Sequence, residues 1–317
     1  MDKHPLSGWV LIICNPVSGL GHGIERLGAV KQALADNEVR FAEAVTEGRG
    51  DAARLARSAV QAGCSAVVVI GGDGTLFEVV NGIVDRSDLE APQEALARVP
   101  VGLIPSGRGS DFGRSVGVPS DIAASIARLI QGRVTQVDLG HVTYRSFTGK
   151  RQGRYFANAA GLGFDAEVTV RANRGPRVFG GTVTYLGSLF TTLGTYRNKR
   201  ISVRNDGSNE WRARINSIVI ANGQYFGGGM KIAPDAHLSD GELDVVVLGD
   251  LGKLDLVRNV PRVYDGSHLS HPKVSTLKAR HIEVQSSDRL LLQADGEVLG
   301  TAPATFRIVP SALRLIV

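Results

Sequence analysis

Residues 66–84 read AVVVIGGDGTLFEVVNGIV, and this stretch decides the fold. Ala66–Ile70 is a short apolar run rich in β-branched residues, which is typical of a strand buried on both faces of a parallel sheet. The glycines that follow let the chain turn sharply. Beyond them the apolar residues recur with the period of a helix, and the spacing of Thr75 and Glu78 predicts a capping box at its start.

A strand, a glycine loop and a helix N-terminus together form an anion site. The free amides and the helix dipole point at whatever lies over the loop, and phosphate is the natural ligand. Asp73 is unusual in this loop because a carboxylate repels phosphate. It either faces a metal ion or a water network that bridges to phosphate, or it caps the local turn.

The first part of the chain, residues 1–138, alternates strand and helix signals in the order βαβαβαβ, which predicts a doubly wound parallel sheet. Ligands bind to such sheets at the carboxyl ends of the strands. The loops expected at that edge are rich in Gly, Ser, Thr or Asn; they are Asn15–Gly23, Thr46–Gly50, Gly71–Thr75 and Pro105–Gly113.

From about Val137 the apolar period changes to two. This pattern predicts a second, mostly antiparallel domain with the architecture of a β-sandwich, over residues 139–310. The candidate strands are Tyr155–Ala159, Ile201–Arg204, Ile215–Ala221, Leu243–Leu248, His281–Val284, Leu290–Gln293 and Thr305–Val309.

The composition of the 317 residues, with 43% hydrophobic and 21% charged residues, is that of a soluble globular protein. Cys14 and Cys64 both lie in apolar, strand-like segments. They are expected to be buried thiols in a reducing compartment. The sequence shows no signal peptide and no apolar run of about 20 residues, which predicts a cytoplasmic protein.

The middle of the chain is strongly basic, with 13 Lys and Arg against 4 Asp and Glu over His141–Arg214. Charge alone leaves phospholipid headgroups, nucleic acid and solvent as its partners. Within this section, Arg171–Arg200 has basic ends around the apolar residues Val183, Leu186, Phe190 and Leu193 at helical spacing. It reads either as an interfacial membrane helix or as a core helix with solvated ends.

Seven motifs in a fixed order resemble the diacylglycerol kinase catalytic-domain superfamily, which is related to sphingosine kinases and more distantly to NAD kinases. They are Asn15–Gly19, Gly71–Thr75, Pro105–Phe112, Asn158–Asp165, Asn222–Pro234, Asp240–Asp244 and Asp295–Glu297. The resemblance covers nearly the whole chain. It implies a nucleotide-binding α/β domain to which the tail 311–317 returns, a β-sandwich domain, and ATP in the cleft between the two.

By position in these motifs, the resemblance implies a nucleotide site. Its residues are Asn15, Ser18, Thr46, Gly71, Gly72, Gly74, Thr75, Ser106, Gly107 and Arg108. Asp111 matches the family aspartate near the phosphate and the substrate headgroup. The chain departs from the family pattern at Leu20, Phe77, Arg108 and Ser110, of which Arg108 suits phosphate binding.

The same resemblance implies two roles for Mg²⁺. Asp73, with Asp111, would position the ion of the nucleotide through water. The turn around Asp240 would hold a structural ion with main-chain oxygens near His237 and Glu242, and with a carboxylate from Asp235. A hairpin held by hydrogen bonds alone is the other interpretation of that turn.

The acceptor hydroxyl needs a general base, and Asp295 and Glu297 are the candidates. Asp295 is the preferred base with Glu297 as its neighbour, although Asp-Gly between strands is also a common hairpin turn. The expected activity is transfer of the γ-phosphate of ATP to a hydroxyl of a lipid such as diacylglycerol, a sphingoid base or phosphatidylglycerol. An NAD kinase and a catalytically silent nucleotide- or lipid-binding regulator are the alternatives.

The expected setting is the inner face of the cytoplasmic membrane, to which the protein would bind peripherally to reach its lipid substrate. No nucleic-acid partner is expected. An exposed edge of the parallel sheet could support a homodimer.

Overall fold

The computed structural model describes residues 4–84, 99–106, 110–174 and 181–317. The chain forms two compact units, one of Met1–Asp138 with Pro310–Val317 and the other of Leu139–Val309. Gly107 and Arg108, which the sequence assigns to the nucleotide site, lie outside the described residues.

The first unit is the predicted alternation of parallel strands and helices. Its strands are β1 (Trp9–Cys14), β2 (Arg40–Val45), β3 (Ala66–Gly71) and β4 (Val101–Pro105). Its helices are α1 (Gly23–Asp36), α2 (Asp51–Gln61), α3 (Asp73–Ile83), α4 (Asp111–Ser115) and α5 (Ile122–Gln131). The strands pair in the order β4-β3-β1-β2, all parallel.

The core of the first unit is built around β3, in which every residue is buried. Val68 and Ile70 of this strand pack in one cluster with Val10 and Ile12 of β1 and Leu34 of α1. The apolar run Ala66–Ile70 is therefore the centre of the sheet, where side chains on both faces are removed from water.

The second unit is mostly antiparallel, as predicted. Its strands are β5 (Val134–Ser146), β6 (Arg151–Phe156), β7 (Ala159–Gly163), β8 (Lys199–Asn205), β9 (Trp211–Ile215), β10 (Ser217–Ala221), β11 (Leu243–Leu248), β12 (Val274–Ala279), β13 (His281–Gln285), β14 (Leu291–Ala294) and β15 (Glu297–Ile316). Of these, β5 begins and β15 ends in the first unit. Its helices are α6 (Phe164–Arg174), α7 (Gly181–Thr195) and α8 (Lys253–Asp265). One path through its strands runs β12-β11-β10-β7-β14-β15.

The end of the chain returns to the first unit. Leu315 and Ile316 pair in parallel with Val101 and Gly102 of β4. The backbone amide of Val317 also donates to the carbonyl of Arg133 at 2.8 Å. These contacts add one more strand to the parallel sheet, beside β4.

Two of the predicted strands have the wrong boundaries, because the regular strand conformation is interrupted inside each of them. The segment predicted as one strand over Tyr155–Ala159 covers the end of β6 and the start of β7. The amides of Ala157, Asn158 and Ala159 at this break donate to one carboxylate, so they are not available to a regular strand ladder. The other predicted strand, Ile215–Ala221, is interrupted at Asn216.

The prediction of a single helix over Arg171–Arg200 is also wrong. Arg171 lies in α6, the next helix begins at Gly181, and Lys199 and Arg200 belong to β8. Within α7, Leu189 and Leu193 pack in a buried cluster with Phe164 and Val168 of α6. Phe190, predicted on the same face as Leu193, is 53% exposed. Helix α7 therefore packs one face on α6 within the second unit, as the core-helix interpretation requires.

Among the residues that the structure describes, no helix is long and apolar enough to cross a membrane.

Candidate functional site

The loops that follow β1, β3 and β4 are hydrogen-bonded to one another at the carboxyl edge of the parallel sheet. The side-chain amide of Asn15 donates to Thr75 Oγ1 at 3.1 Å, which joins the β1 loop to the first turn of α3. Ser106 Oγ donates to Ser18 Oγ at 2.5 Å, and Ser18 Oγ donates to the carbonyl of Asn15 at 2.6 Å. The structure thus brings together four of the predicted nucleotide-site side chains.

Glycine at position 71 is required by a close approach. A Cβ placed there would lie 2.7 Å from both Cβ and Oγ1 of Thr75, well inside van der Waals contact. The same loop places Gly72 as the N-cap of α3, with Asp73 and Gly74 in the first turn of the helix. Thr46 follows β2 at this edge, and its amide donates to the carbonyl of Cys14 at 2.9 Å.

The predicted capping box of α3 is wrong. The helix begins at Asp73. Its N-cap residue is Gly72, which has no side chain that could cap the helix. The carboxylate of Glu78 instead accepts from the amides of Gly50 at 2.7 Å and Ala52 at 3.1 Å, at the start of α2. Glu78 therefore stabilises a neighbouring helix end, which is a tertiary contact that local spacing could not predict.

Asp73 and Asp111 are joined through the backbone. The two carboxylate oxygens of Asp73 accept from the amides of Asp111 at 2.8 Å and Phe112 at 3.1 Å. Asp111 is 5% exposed, and its Oδ1 lies 4.0 Å from Arg114 Nη1. Asp73 is thus a cap, although of helix α4 rather than of its own turn. Each of its oxygens accepts one backbone amide, which fixes the orientation of the carboxylate.

In the second unit, Asp295 and Gly296 form the two-residue turn between β14 and β15. Both residues have positive φ, of 45° and 81°, and Ala294 pairs with Glu297 across the turn. This is the hairpin geometry that Asp-Gly favours. The turn interpretation is correct for the backbone.

The carboxylate of Asp295 accepts three backbone hydrogen bonds, from Ala157 at 2.7 Å and from Asn158 and Ala159 at 3.0 Å each. Burial raises the pKa of Asp295 to about 6, and the three amides only partly oppose that rise. A carboxylate with a pKa near 6 is mostly ionised at neutral pH and still basic enough to accept a proton. Glu297, two residues further on, is partly exposed.

A chain of buried polar side chains, for which the motifs predicted no role, is hydrogen-bonded to this turn. Asp165 accepts from Ser217 Oγ at 2.6 Å and from Gln293 Nε2 at 3.0 Å. Gln293 Oε1 in turn accepts from the amide of Gly296 at 3.1 Å. Burial raises the pKa of Asp165 as well. An aspartate directly after the apolar run Ala159–Phe164 was the available signal for a buried polar network.

The residues predicted to hold a structural Mg²⁺ do not fit a metal ion as they stand. Asp240 Oδ2 lies 2.7 Å from the ammonium nitrogen of Lys278, and Asp240 Oδ1 accepts from the amide of Glu242 at 3.1 Å. Asp235 and His237 are exposed. Within the described ranges, no group of three or more His, Cys, Asp or Glu side chains is arranged to hold a metal ion.

Asp240 belongs to a group of interacting charged side chains. Burial raises the pKa of Asp244, and the negative charges of Asp240 and Asp235 raise it further against the attraction of Lys278. Burial by itself lowers the pKa of Lys278, but its hydrogen bonds to Asp240 and Asp244 outweigh that effect and raise it. Lys278 therefore carries its charge inside a group of carboxylates.

Comparison with known proteins covers both units. The family model of the diacylglycerol kinase catalytic domain matches residues 9–142, and that of the YegS C-terminal NAD kinase beta sandwich-like domain matches residues 158–317. The chain belongs to the diacylglycerol kinase family. A relative in this family, the diacylglycerol kinase of Staphylococcus carnosus (strain TM300), is 30% identical over 295 residues, which span 93% of this chain and 90% of the relative.

Solved structures show the same fold. A diacylglycerol kinase from Bacillus anthracis str. Sterne superposes with a TM-score of 0.72 at 22% identity, over 99% of this chain and 98% of that chain. An NAD kinase from Archaeoglobus fulgidus in complex with ATP superposes with a TM-score of 0.51 at 12% identity, over 97% and 92%. The fold predicted from the motifs, shared by diacylglycerol kinases and NAD kinases, is confirmed.

Proposed function

We propose that this protein is an ATP- and Mg²⁺-dependent lipid kinase, which transfers the γ-phosphate of ATP to a hydroxyl of a membrane lipid. The observation that carries the proposal is the match to diacylglycerol kinases over nearly the whole chain, including both family models. Diacylglycerol is the first acceptor to test. Sphingoid bases and phosphatidylglycerol-type alcohols carry the same reacting group.

The first unit supplies suitable chemistry for the nucleotide. The uncharged polar side chains of Asn15, Ser18 and Ser106 lie on loops at one sheet edge, and that of Thr75 lies in the first turn of α3. Hydroxyl, amide and backbone N–H groups can bind phosphate oxygens without closing the site to the Mg²⁺ that enters with ATP. Their mutual hydrogen bonds hold the loops in position before the nucleotide binds.

The second unit supplies two candidate bases on one rigid turn. In this proposal Asp295 accepts the proton of the lipid hydroxyl, and Glu297 lies beside it as the neighbouring carboxylate. The three amide bonds to Asp295 fix its position, and its pKa of about 6 keeps it ionised at neutral pH. General-base catalysis of this kind typically contributes a factor of about 10²–10⁴ in rate.

The proposed acceptor lies in a membrane, so the protein is expected to bind peripherally to its cytoplasmic face. Two exposed apolar side chains support this, Phe190 on α7 at 53% and Leu254 on α8 at 61%. These helices pack on each other through Leu189, Leu193 and Leu256. Basic residues of the middle section, such as Arg197, would add attraction to anionic lipids.

In the deciding experiment, purified protein and MgATP are incubated with mixed micelles that each contain one lipid alcohol. The transfer of labelled phosphate from ATP to the acceptor is then measured. NAD in solution serves as the alternative acceptor. We expect label in a lipid and none in NAD. Label in NAD alone would replace the proposal with an NAD kinase. ATP binding without transfer to any acceptor would indicate a silent regulator.

Two further expectations need separate tests. Binding to anionic vesicles should weaken as salt is raised, because electrostatic attraction to the lipid surface is screened. A homodimer through the exposed edge strand β2 is tested by sedimentation equilibrium. A monomer at all concentrations would remove that expectation without affecting the proposed activity.

A further inference from the structure

The register of two strands places a lysine among the carboxylates of the Asp240 turn. In the antiparallel pair β11–β12, Asp244 lies directly opposite Lys278. The ammonium nitrogen of Lys278 is 3.2 Å from Asp244 Oδ2 and 2.7 Å from Asp240 Oδ2. One cation thus bridges two carboxylates that are four residues apart on the chain, and it reaches both from the neighbouring strand β12.

Each carboxylate oxygen of Asp240 accepts a hydrogen bond. Its Oδ1 accepts from the amide of Glu242, over Gly241, whose φ is 73°. Its Oδ2 accepts from Lys278 at a distance typical of a charge-assisted hydrogen bond. A divalent ion would sit about 2.0–2.6 Å from a carboxylate oxygen, and to bind on Oδ2 it would have to displace the ammonium group.

The carboxylates around this turn repel one another, and a cation among them relieves that repulsion. Asp235, Asp240 and Asp244 are close enough for the first two to act electrostatically on the third. Without a positive charge, repulsion among them would oppose formation of the Asp240 turn. Lys278 on β12 supplies that charge as part of the chain, so formation of the turn does not depend on the free concentration of an ion.

We infer that the Lys278 ammonium group takes the place of the structural divalent cation at the Asp240 turn, and that this turn is held together without a metal. The inference goes beyond the proposed function. It concerns the stability of the second unit and leaves the Mg²⁺ that enters with ATP untouched.

The test measures thermal unfolding and calorimetric binding without nucleotide, with Mg²⁺ alone and with Ca²⁺ alone. The variants are Lys278→Met, Asp240→Asn and the double variant. Lys273→Met is the matched control, because Lys273 also bridges to a carboxylate of the second unit, Asp255, at 3.4 Å.

For the unaltered protein we expect neither saturable binding nor a rise in melting temperature with either ion. Lys278→Met should melt at a lower temperature and gain a saturable response to Ca²⁺, with a dissociation constant of about 10⁻⁴–10⁻³ M. The double variant should lose that response. Lys273→Met should show no response to either ion.

Saturable binding of Mg²⁺ or Ca²⁺ to the unaltered protein, abolished by Asp240→Asn, would overturn the inference. A folded Lys278→Met variant without any cation response would overturn it as well. If Lys278→Met does not fold, the measurements on the unaltered protein and on Asp240→Asn still decide. Lipid phosphorylation is not a readout, so failure here is distinguishable from failure of the proposed function.

Discussion

Replacing Asp295 by Asn tests how the site sets the acidity of its central carboxylate. The pKa of Asp295 is about 6 in the folded protein against 3.8 for an ordinary aspartate, with burial as the main cause. The folded protein therefore binds this proton more tightly than the unfolded chain does. That difference in pKa corresponds to about 3 kcal/mol of stability.

Proton linkage determines whether this contribution to stability rises or falls with pH. The folded-state pKa is raised, so the favourable contribution of the protonated carboxyl is fully present below the unfolded pKa. It is lost as the pH rises through 6. From about pH 4 to about pH 7, the share of Asp295 in the free energy of unfolding should fall by about 2 kcal/mol. Above that range its share is constant.

The variant removes this titration while keeping the size of the side chain. Its carbonyl oxygen can still accept from Asn158 and Ala159, but its NH₂ group faces the amide of Ala157, where Asp295 Oδ2 now accepts at 2.7 Å. That mismatch lowers stability by an amount that does not depend on pH, on the order of 1–3 kcal/mol. The pH-dependent difference between the two proteins therefore isolates the carboxylate.

The assay is urea unfolding of both proteins at a series of pH values. The difference in unfolding free energy should move by about 2 kcal/mol in favour of Asp295→Asn as the pH rises from 4 to 7. Glu297→Gln, in the same hairpin, serves as a control for any change of charge at this turn. If the curves of Asp295→Asn and the unaltered protein stay parallel across this range, the reasoning about burial at Asp295 is refuted.

Three further predictions test other contacts, each by denaturant unfolding. Gly71→Ala should destabilise by about 1–3 kcal/mol, because its Cβ would meet Thr75, whereas Gly48→Ala, which meets nothing within 4 Å, should be near neutral. Glu78→Ala should lower stability by about 1 kcal/mol through loss of the α2 cap, with the exposed Glu47→Ala as control, and equal stability of the two would contradict the cap. Asp165→Asn should lower stability by about 1–3 kcal/mol, because its NH₂ group would face a donor from Gln293 or Ser217. Ser217→Ala should have a smaller effect. An Asp165→Asn variant of unchanged stability would argue against the network.

Local chemistry was sufficient to predict the first unit. The strands at Trp9–Cys14 and Ala66–Gly71 are read from apolar runs, and the helices between them from a 3.6-residue period, because burial on a parallel sheet imposes both patterns directly on the sequence. The meeting of the Asn15, Thr75 and Ser106 loops also follows, since parallel strands end at the same sheet edge.

The sequence by itself determined the family, the two fold types and the residues at which chemistry is concentrated. The contacts made by each carboxylate were decided by the tertiary structure. Glu78 caps a helix more than 20 residues away in the chain, Asp73 binds the backbone of α4, and Asp240 pairs with Lys278. Each contact joins residues distant in the chain, and a carboxylate has the same local signature whether it holds a metal ion, a backbone amide or an ammonium group.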